Sequence, residues 1–251
     1  MRNQNLVVLQ ARMSSSRLPG KAMMEINGMP MIYWQVQRIL RAKNVNSLVV
    51  ATSIDSTDDS LVNFLDKNSI DVYRGSLDNV LSRFVEVAEL YPYDAIIRLT
   101  GDCPLAMPEL IDKMVVKFYE HAVDYLSNTL EPTFPDGLDI EIVKSSVFKK
   151  LWTFKLEPKE LEHVTYGIYT RPESFKLSNY LNDFDSSIGR WTVDYQEDLD
   201  FVRFIFKQFS GRETEFTYQE VNELLEENPQ LQAQNHRFKR NERLQDGKNH
   251  G

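Results

Sequence analysis

The first part of the chain alternates short apolar runs with longer stretches of helical periodicity. Each apolar run is bounded by polar or turn residues, as expected for strands buried on both faces of a sheet, and the runs are 6–9, 48–51, 70–73 and 95–99. Between these runs, apolar residues recur with the spacing of one helix face, which predicts helices at 31–42, 58–68 and 77–89. Strand and helix therefore alternate regularly.

This alternation predicts an α/β fold with a mainly parallel, doubly wound sheet. A helix between two strands returns the chain so that the next strand runs in the same direction. Ligands of such sheets bind beyond the carboxyl ends of the strands. Two loops occupy that position, the loop at 10–21 after the first predicted strand and the loop at 100–105 after the fourth. We expect the chemistry to lie in these two loops.

The second half of the chain is less regular. An apolar stripe predicts a helix at 108–121, and alternating apolar residues predict a strand at 138–143. Further helices are expected to begin near Lys144, Glu160 and Gln196.

No composition break marks a linker between domains. The segment 128–137 contains two prolines and a glycine and is predicted to be a loop. Residues 1–235 are therefore predicted to form a single domain. The remaining residues, 236–251, are polar with almost no apolar side chains, so we expect a disordered tail.

Composition and charge narrow the classes of function. The formal net charge of −8 argues against a nucleic-acid partner, because phosphate backbones require a basic protein face. The sequence has no early apolar run of about 20 residues to span a membrane, and its first residues are too polar for a secretory signal. A single cysteine, Cys103, permits neither an internal disulfide nor a multi-cysteine zinc site. We expect a cytoplasmic protein without a membrane partner, in which oxygen atoms hold any metal.

The loop at 10–21 concentrates positive charge in an otherwise acidic chain. Arg12, Arg17 and Lys21 lie in it without an acidic residue, and serines and a glycine allow backbone N–H groups to turn inward. This composition is typical of a polyphosphate site, although a solvated basic loop is the alternative. The loop has the spacing of neither a Walker A loop nor a G-x-G-x-x-G dinucleotide turn.

Two aspartates are candidates for holding a metal against phosphate. Asp102 follows Gly101 at the end of the fourth predicted strand, and Asp194 ends the short strand-like run 190–194. Carboxylates at the carboxyl ends of strands are well placed to bind magnesium. Each aspartate taken singly could equally cap a turn or a helix.

Three motifs in this order resemble those of the cytidylyltransferases of the spore coat polysaccharide protein F type, relatives of the acylneuraminate and ketodeoxyoctonate cytidylyltransferases. The motifs lie at 7–21, 99–105 and 191–199, and the resemblance extends from Leu6 to about Asn235. It implies a Rossmann-like sheet of the nucleotide-diphospho-sugar transferase type with a small additional lobe. That lobe, at about 128–190, would bind the sugar and form a homodimer.

The resemblance also implies roles for individual residues. Catalysis would involve Arg12, Lys21 and Asp102, and Mg²⁺ would bind Asp102 and Asp194. The sugar would contact Asp139, Glu141 and His163, for which a purely structural role is the alternative. The nucleotide would contact Gln10, Ala11, Arg12, Ser14, Ser15, Ser16, Arg17, Lys21, Arg74, Gly75, Ser76, Arg83, Thr100 and Gly101.

The function implied is transfer of CMP from CTP to a small sugar, with release of pyrophosphate, for surface polysaccharide or glycan biosynthesis. A nonulosonic or related acidic sugar is the expected acceptor. Transfer from another nucleoside triphosphate stays open, as does a non-catalytic nucleotide-sugar sensor. A metal-dependent glycosyltransferase is the nearest rival, since 183–185 and 198–200 both have the Asp-x-Asp spacing that such enzymes use.

Overall fold

A seven-stranded sheet forms the centre of the computed structural model, which describes residues 3–233 and Arg240. The strands in chain order are β1 (Asn5–Gln10), β2 (Glu25–Ile26), β3 (Met29–Pro30), β4 (Ser47–Ser53), β5 (Val72–Gly75), β6 (Ala95–Thr100), β7 (Tyr125–Ser127), β8 (Glu141–Lys144) and β9 (Leu177–Asn179). The sheet order is β5-β4-β1-β6-β8-β7-β9, and β2 and β3 form a separate hairpin.

Helices connect the strands and cover both faces of the sheet. They are α1 (Met31–Ile39), α2 (Asp59–Lys67), α3 (Val80–Leu90), α4 (Pro108–His121), α5 (Ser145–Trp152), α6 (Pro158–Glu162), α7 (Tyr166–Tyr169), α8 (Gln196–Gln208), α9 (Tyr218–Glu227) and α10 (Pro229–Ala233). Short 3-10 helices occupy Lys21–Met23 and Ser56–Asp58.

The predicted parallel α/β arrangement is confirmed. β1 pairs in parallel with both β4 and β6, and β4 pairs in parallel with β5. Alternate residues of β1 face opposite sides: Val7 and Leu9 pack with α1, α4 and α8, whereas Leu6 and Val8 pack with α3 and α5. Both faces of the strand are buried, which explains its continuous apolar sequence.

The predicted strand at 70–73 begins later than expected. The backbone N–H of Ile70 donates to Leu65 O at 3.0 Å, so this residue closes the turn that follows α2. Pairing with β4 begins at Val72, opposite Val50. Ile70 follows the helix and packs onto the core. In the sequence it therefore resembled the first residue of a strand.

The segment predicted as an additional lobe, 128–190, contributes directly to the main sheet. β8 pairs antiparallel with β6, with Arg98 opposite Glu141, and β9 lies at the far edge beside β7. The predicted strand 138–143 corresponds to β8, which starts at Glu141.

Two further sequence predictions concern membranes and the tail. Within residues 3–233, no helix combines the length and the apolar composition that a bilayer crossing requires. The predicted tail, 236–251, lies outside the described residues except for Arg240.

Candidate active site

A cavity of about 520 Å³ opens at the carboxyl ends of β1 and β6. Its wall includes most of the residues that the sequence predicts to bind substrate, namely Gln10, Ala11, Arg12, Ser15, Arg17, Lys21, Thr100, Gly101, Asp102, Asp139, Glu141, His163 and Asp194. Residues separated by more than 170 positions in the chain therefore share one cavity. This is the position at which ligands bind to parallel α/β sheets.

The Lys21 ammonium joins the two predicted metal ligands. Lys21 Nζ lies 3.0 Å from Asp102 Oδ2 and 2.9 Å from Asp194 Oδ1, and it also donates to Val193 O at 2.8 Å. Burial alone would lower the pKa of Lys21, but the two carboxylates raise it above its ordinary value. The lysine is therefore fully charged at neutral pH and compensates both acidic groups.

Both carboxylates stay ionised because cations surround them. Burial alone would raise the pKa of Asp102, but Lys21 holds it well below its usual range. Burial acts in the same direction on Asp194, whose pKa is nevertheless lowered, chiefly by Lys21 and also by Arg17. Arg17 Nη2 lies 2.6 Å from Asp194 Oδ2, so the basic loop directly contacts the acidic pair.

The acidic pair has the chemistry that a magnesium site requires. Magnesium in phosphate-transfer enzymes is bound by one or two carboxylates, with the remaining positions taken by water and substrate phosphates. Asp102 and Asp194 supply two carboxylates within reach of one point, the Lys21 ammonium. Among residues 3–233 and Arg240, no group of three or more histidine, cysteine, aspartate or glutamate side chains forms a metal cage. Two carboxylates facing the basic loop are therefore the donor set that Mg²⁺ would use here.

Gly101 allows the two loops of the site to approach each other. Its backbone N–H donates to Gln10 O at 2.8 Å, and a Cβ atom at this position would lie only 2.7 Å from Ala11 Cβ. Any larger residue would push the loop that carries Asp102 away from the basic loop. Glycine is therefore required by close approach, as at other sites where two backbones meet.

Several predicted nucleotide contacts are absent from the cavity wall. The described residues that line the cavity do not include Ser14, Ser16, Arg74, Gly75, Ser76 or Arg83. Arg74 donates to Ser53 O and Asp55 O, and Arg83 donates to Ser76 O and Leu77 O. These arginines stabilise the loops around β5, because their guanidinium groups satisfy backbone carbonyls. The sequence shows their charge but not the direction of their side chains.

Glu141, predicted to contact the sugar, is engaged by protein groups. Its carboxylate accepts hydrogen bonds from Tyr125 at 2.6 Å and Thr165 at 2.5 Å, and it pairs with Arg98. Arg98 also donates to Gln10 Oε1 at 3.2 Å. Sequence reasoning missed Arg98, although an arginine inside the apolar run of β6 was a visible signal.

The other predicted sugar contacts lie at the same end of the cavity. Asp139 pairs with Arg240, and Asp136, which the sequence analysis did not select, pairs with Arg190 at 3.0 Å. Burial raises the pKa of Asp139 to about 7; Arg240 opposes this shift, and Asp136 adds to it. His163 follows α6 and also lines the cavity.

Glu141→Gln should cost about 3 kcal/mol of the free energy of unfolding, because it leaves Arg98, whose side chain is only 18% exposed, without a counter-charge. Urea denaturation measures the loss. Glu120→Gln is the control, since the Lys117–Glu120 pair is exposed to solvent and should contribute little to stability. Equal losses in the two variants would contradict the assignment of Glu141 and Arg98 as a stabilising buried pair.

Comparison with known proteins shows the family to which this chain belongs. A family model described as cytidylyltransferase matches residues 6–243. The chain belongs to the cytidylyltransferase family. It is 32% identical over 234 residues to the spore coat polysaccharide biosynthesis protein SpsF of Bacillus subtilis, covering 90% of this chain and 96% of the relative.

A second relative and a solved structure agree with this membership. The chain is 32% identical over 204 residues to an 8-amino-3,8-dideoxy-manno-octulosonate cytidylyltransferase of Shewanella sediminis, covering 77% of this chain and 81% of the relative. It superimposes on the structure of a cytidylyltransferase from Leptospira borgpetersenii with a TM-score of 0.85 and 32% identity, covering 94% of this chain and 98% of that one. The predicted resemblance and the predicted nucleotide-diphospho-sugar transferase fold are both confirmed.

Proposed function

We propose that this chain transfers the CMP group of CTP to a hydroxyl of an acidic sugar, nonulosonic or related, and releases pyrophosphate. The observation that carries the proposal is the cavity in which a basic loop faces two carboxylates from distant parts of the chain. The family match supports CTP as the donor. The names of two relatives, which refer to a sugar acid and to polysaccharide biosynthesis, support an acidic sugar as the acceptor.

In this reaction the sugar hydroxyl oxygen forms a bond to the α-phosphorus of CTP. The bond from that phosphorus to the oxygen bridging to the β-phosphate breaks, pyrophosphate leaves with the bonding electron pair, and the hydroxyl proton is lost to solvent. Arg12, Arg17 and Lys21 would bind the phosphates and stabilise the charge that develops on the leaving group. Mg²⁺ held by Asp102 and Asp194 would add positive charge at the phosphate oxygens. Asp139, Glu141 and His163 would line the acceptor end of the site.

The geometry does not favour the glycosyltransferase rival. Asp185 accepts from Ser187 N at 2.9 Å in an exposed loop. Asp198 is fully buried and accepts from Arg190 and from two backbone N–H groups. Neither Asp-x-Asp segment supplies a residue to the described cavity wall, whereas the family match supports nucleotidyl transfer.

A pyrophosphate-release screen tests the proposed reaction. Four nucleoside triphosphates are crossed with a panel of acidic, neutral and amino sugars, each with and without Mg²⁺. We expect pyrophosphate with CTP, an acidic sugar and Mg²⁺ together. Release of a nucleoside diphosphate from a sugar donor would overturn nucleotidyl transfer, and a preference for GTP or UTP would overturn the assignment of the base.

We also propose that the enzyme is a cytoplasmic homodimer. The segment 128–190 exposes Leu181, Phe184 and Ile188 close together in the sequence, and exposed apolar groups that form a patch are typical of protein interfaces. Sedimentation of the wild-type chain should give twice the mass of one chain, and Phe184→Ser should shift it toward the monomer. A wild-type monomer at micromolar concentration would contradict the dimer.

A further inference from the structure

We propose that Asp58 is a positioning residue that sets the shape of the phosphate-binding loop at 10–21, an inference that rests on the proposed function. Asp58 ends the 3-10 helix Ser56–Asp58, immediately before α2, and it is fully buried. Asp58 is not among the described residues that line the cavity. It acts through the loop and makes no contact with substrate.

The two oxygen atoms of Asp58 join two parts of the chain. Oδ1 accepts from the backbone N–H of Met13 at 2.7 Å. Oδ2 accepts from Thr52 Oγ1 at 2.8 Å, from Ser53 N at 3.0 Å and from Ser53 Oγ. One side of the carboxylate is thereby fixed to the carboxyl end of β4, and the other side holds the loop.

Met13 is the residue at which the loop folds back on itself. Its carbonyl oxygen accepts from both Ser15 N and Gly20 N at 2.9 Å. Gly20 has a φ of 73° and begins the turn of 3-10 helix that carries Lys21. Arg12 precedes Met13 directly, so the hydrogen bond that Met13 N–H donates to Asp58 fixes the Arg12–Met13 peptide, next to the first cation of the loop.

Asp58 remains a charged acceptor in this buried position. Burial alone would raise its pKa, but the hydrogen bonds from Met13, Ser53 and Thr52 lower it below the ordinary value. A charged acceptor makes stronger hydrogen bonds than a neutral one. Because a displacement of about 1 Å in a reacting group can cost about a hundredfold in rate, a loop fixed by such a bond is preorganised for phosphate.

Asp58→Asn tests the inference, because an amide cannot accept on both sides. With its oxygen toward Met13, the NH₂ group faces the donors of Thr52 and Ser53; in the flipped orientation it faces the Met13 N–H. We expect CTP binding, measured by calorimetry without sugar, to weaken about tenfold. KM for CTP should rise correspondingly, while KM for the sugar stays within about twofold.

Asp112→Asn is the matched control for loss of stability. Asp112 also accepts from two backbone N–H groups of a loop, Lys43 at 3.0 Å and Asn44 at 2.7 Å, but that loop supplies no described residue to the cavity wall. We expect this variant to melt at a lower temperature and to bind CTP normally. Equal weakening of CTP binding in both variants would overturn the positioning role.

Thr52→Val provides a milder change if Asp58→Asn does not fold. It removes one donor to Oδ2 and leaves the Met13 contact in place, so CTP binding should weaken measurably, by about two- to threefold. Normal CTP binding in folded Asp58→Asn, or in Thr52→Val, overturns the positioning role of Asp58 and leaves the proposed function intact. Absence of CTP binding by the wild-type chain overturns the proposed function as well, so the two failures are distinguishable.

Discussion

Lys21→Met is expected to lower kcat/KM with CTP by about a hundredfold or more. Removal of one charged contact to a developing phosphate charge typically costs about 3 kcal/mol of transition-state stabilisation. Lys21 is the contact most central to the site, since it bonds to Asp102, Asp194 and Val193 O. Pyrophosphate release under saturating Mg²⁺ measures the loss.

The same variant also reports on the acidic pair. Without the ammonium, Asp102 loses its salt bridge and lies close to Asp194, which keeps its pair with Arg17, so the melting temperature should fall. Added Mg²⁺ should raise the melting temperature of Lys21→Met by more than it raises that of the wild type, because the ion can replace the missing charge. Lys117→Met, at an exposed lysine, should change neither quantity. Full activity in Lys21→Met would remove the basis for the phosphate-binding assignment.

Asp139→Asn is expected to reduce a loss of stability between about pH 4 and pH 7, part of which remains because burial also raises the pKa of Asp136. The pKa of Asp139 is raised from 3.8 to about 7 in the folded chain, because burial and the neighbouring Asp136, Glu141 and Asp102 outweigh Arg240. A raised carboxyl pKa means that the folded state holds the proton more tightly than the unfolded state. The wild type should therefore become less stable as the pH rises through this range.

Denaturation at a series of pH values measures this effect. A pKa difference from 3.8 to about 7 corresponds to about 4 kcal/mol at most, and water in the cavity will reduce it. Asp59→Asn, at a half-exposed pair with Arg74, should leave the profile unchanged. Below about pH 4 both variants should still lose stability with acid, because the lowered pKa values of Asp102 and Asp194 act in the opposite direction. An unchanged profile in Asp139→Asn would show that this carboxyl group does not titrate as the structure indicates.

The sequence predicted the parts of the site that follow strands. Because parallel strands end at one edge of a sheet, the basic loop and Asp102 had to lie together once β1 and β6 were recognised. Asp194, 92 positions after Asp102, was a weaker candidate from the sequence pattern alone, and the family resemblance supported its meeting with Asp102. The structure brings both carboxylates to Lys21.

The sequence did not reveal which polar residues act through others. Asp58 and Arg98 receive their roles from partners far away in the chain, and no local pattern records those contacts. Arg74 and Arg83, predicted to contact the nucleotide, are absent from the described cavity wall for the converse reason. Their guanidinium groups are directed to nearby carbonyl oxygens that only the folded backbone supplies.

The reversed direction of β8 determines where this enzyme can vary. An antiparallel strand beside β6 places its beginning, Glu141, at the same edge of the sheet as the ends of β1 and β6. The residues that precede β8, at 128–140, therefore border the proposed acceptor end of the cavity, whereas those that follow it turn away to the opposite edge. Within this segment Asp136 is tied to the run that carries Asp194, because its carbonyl oxygen accepts from Trp191 N and Thr192 N and its carboxylate pairs with Arg190. Changes elsewhere in 128–140 should therefore alter the proposed acceptor end of the cavity while β1 and β6 stay in place.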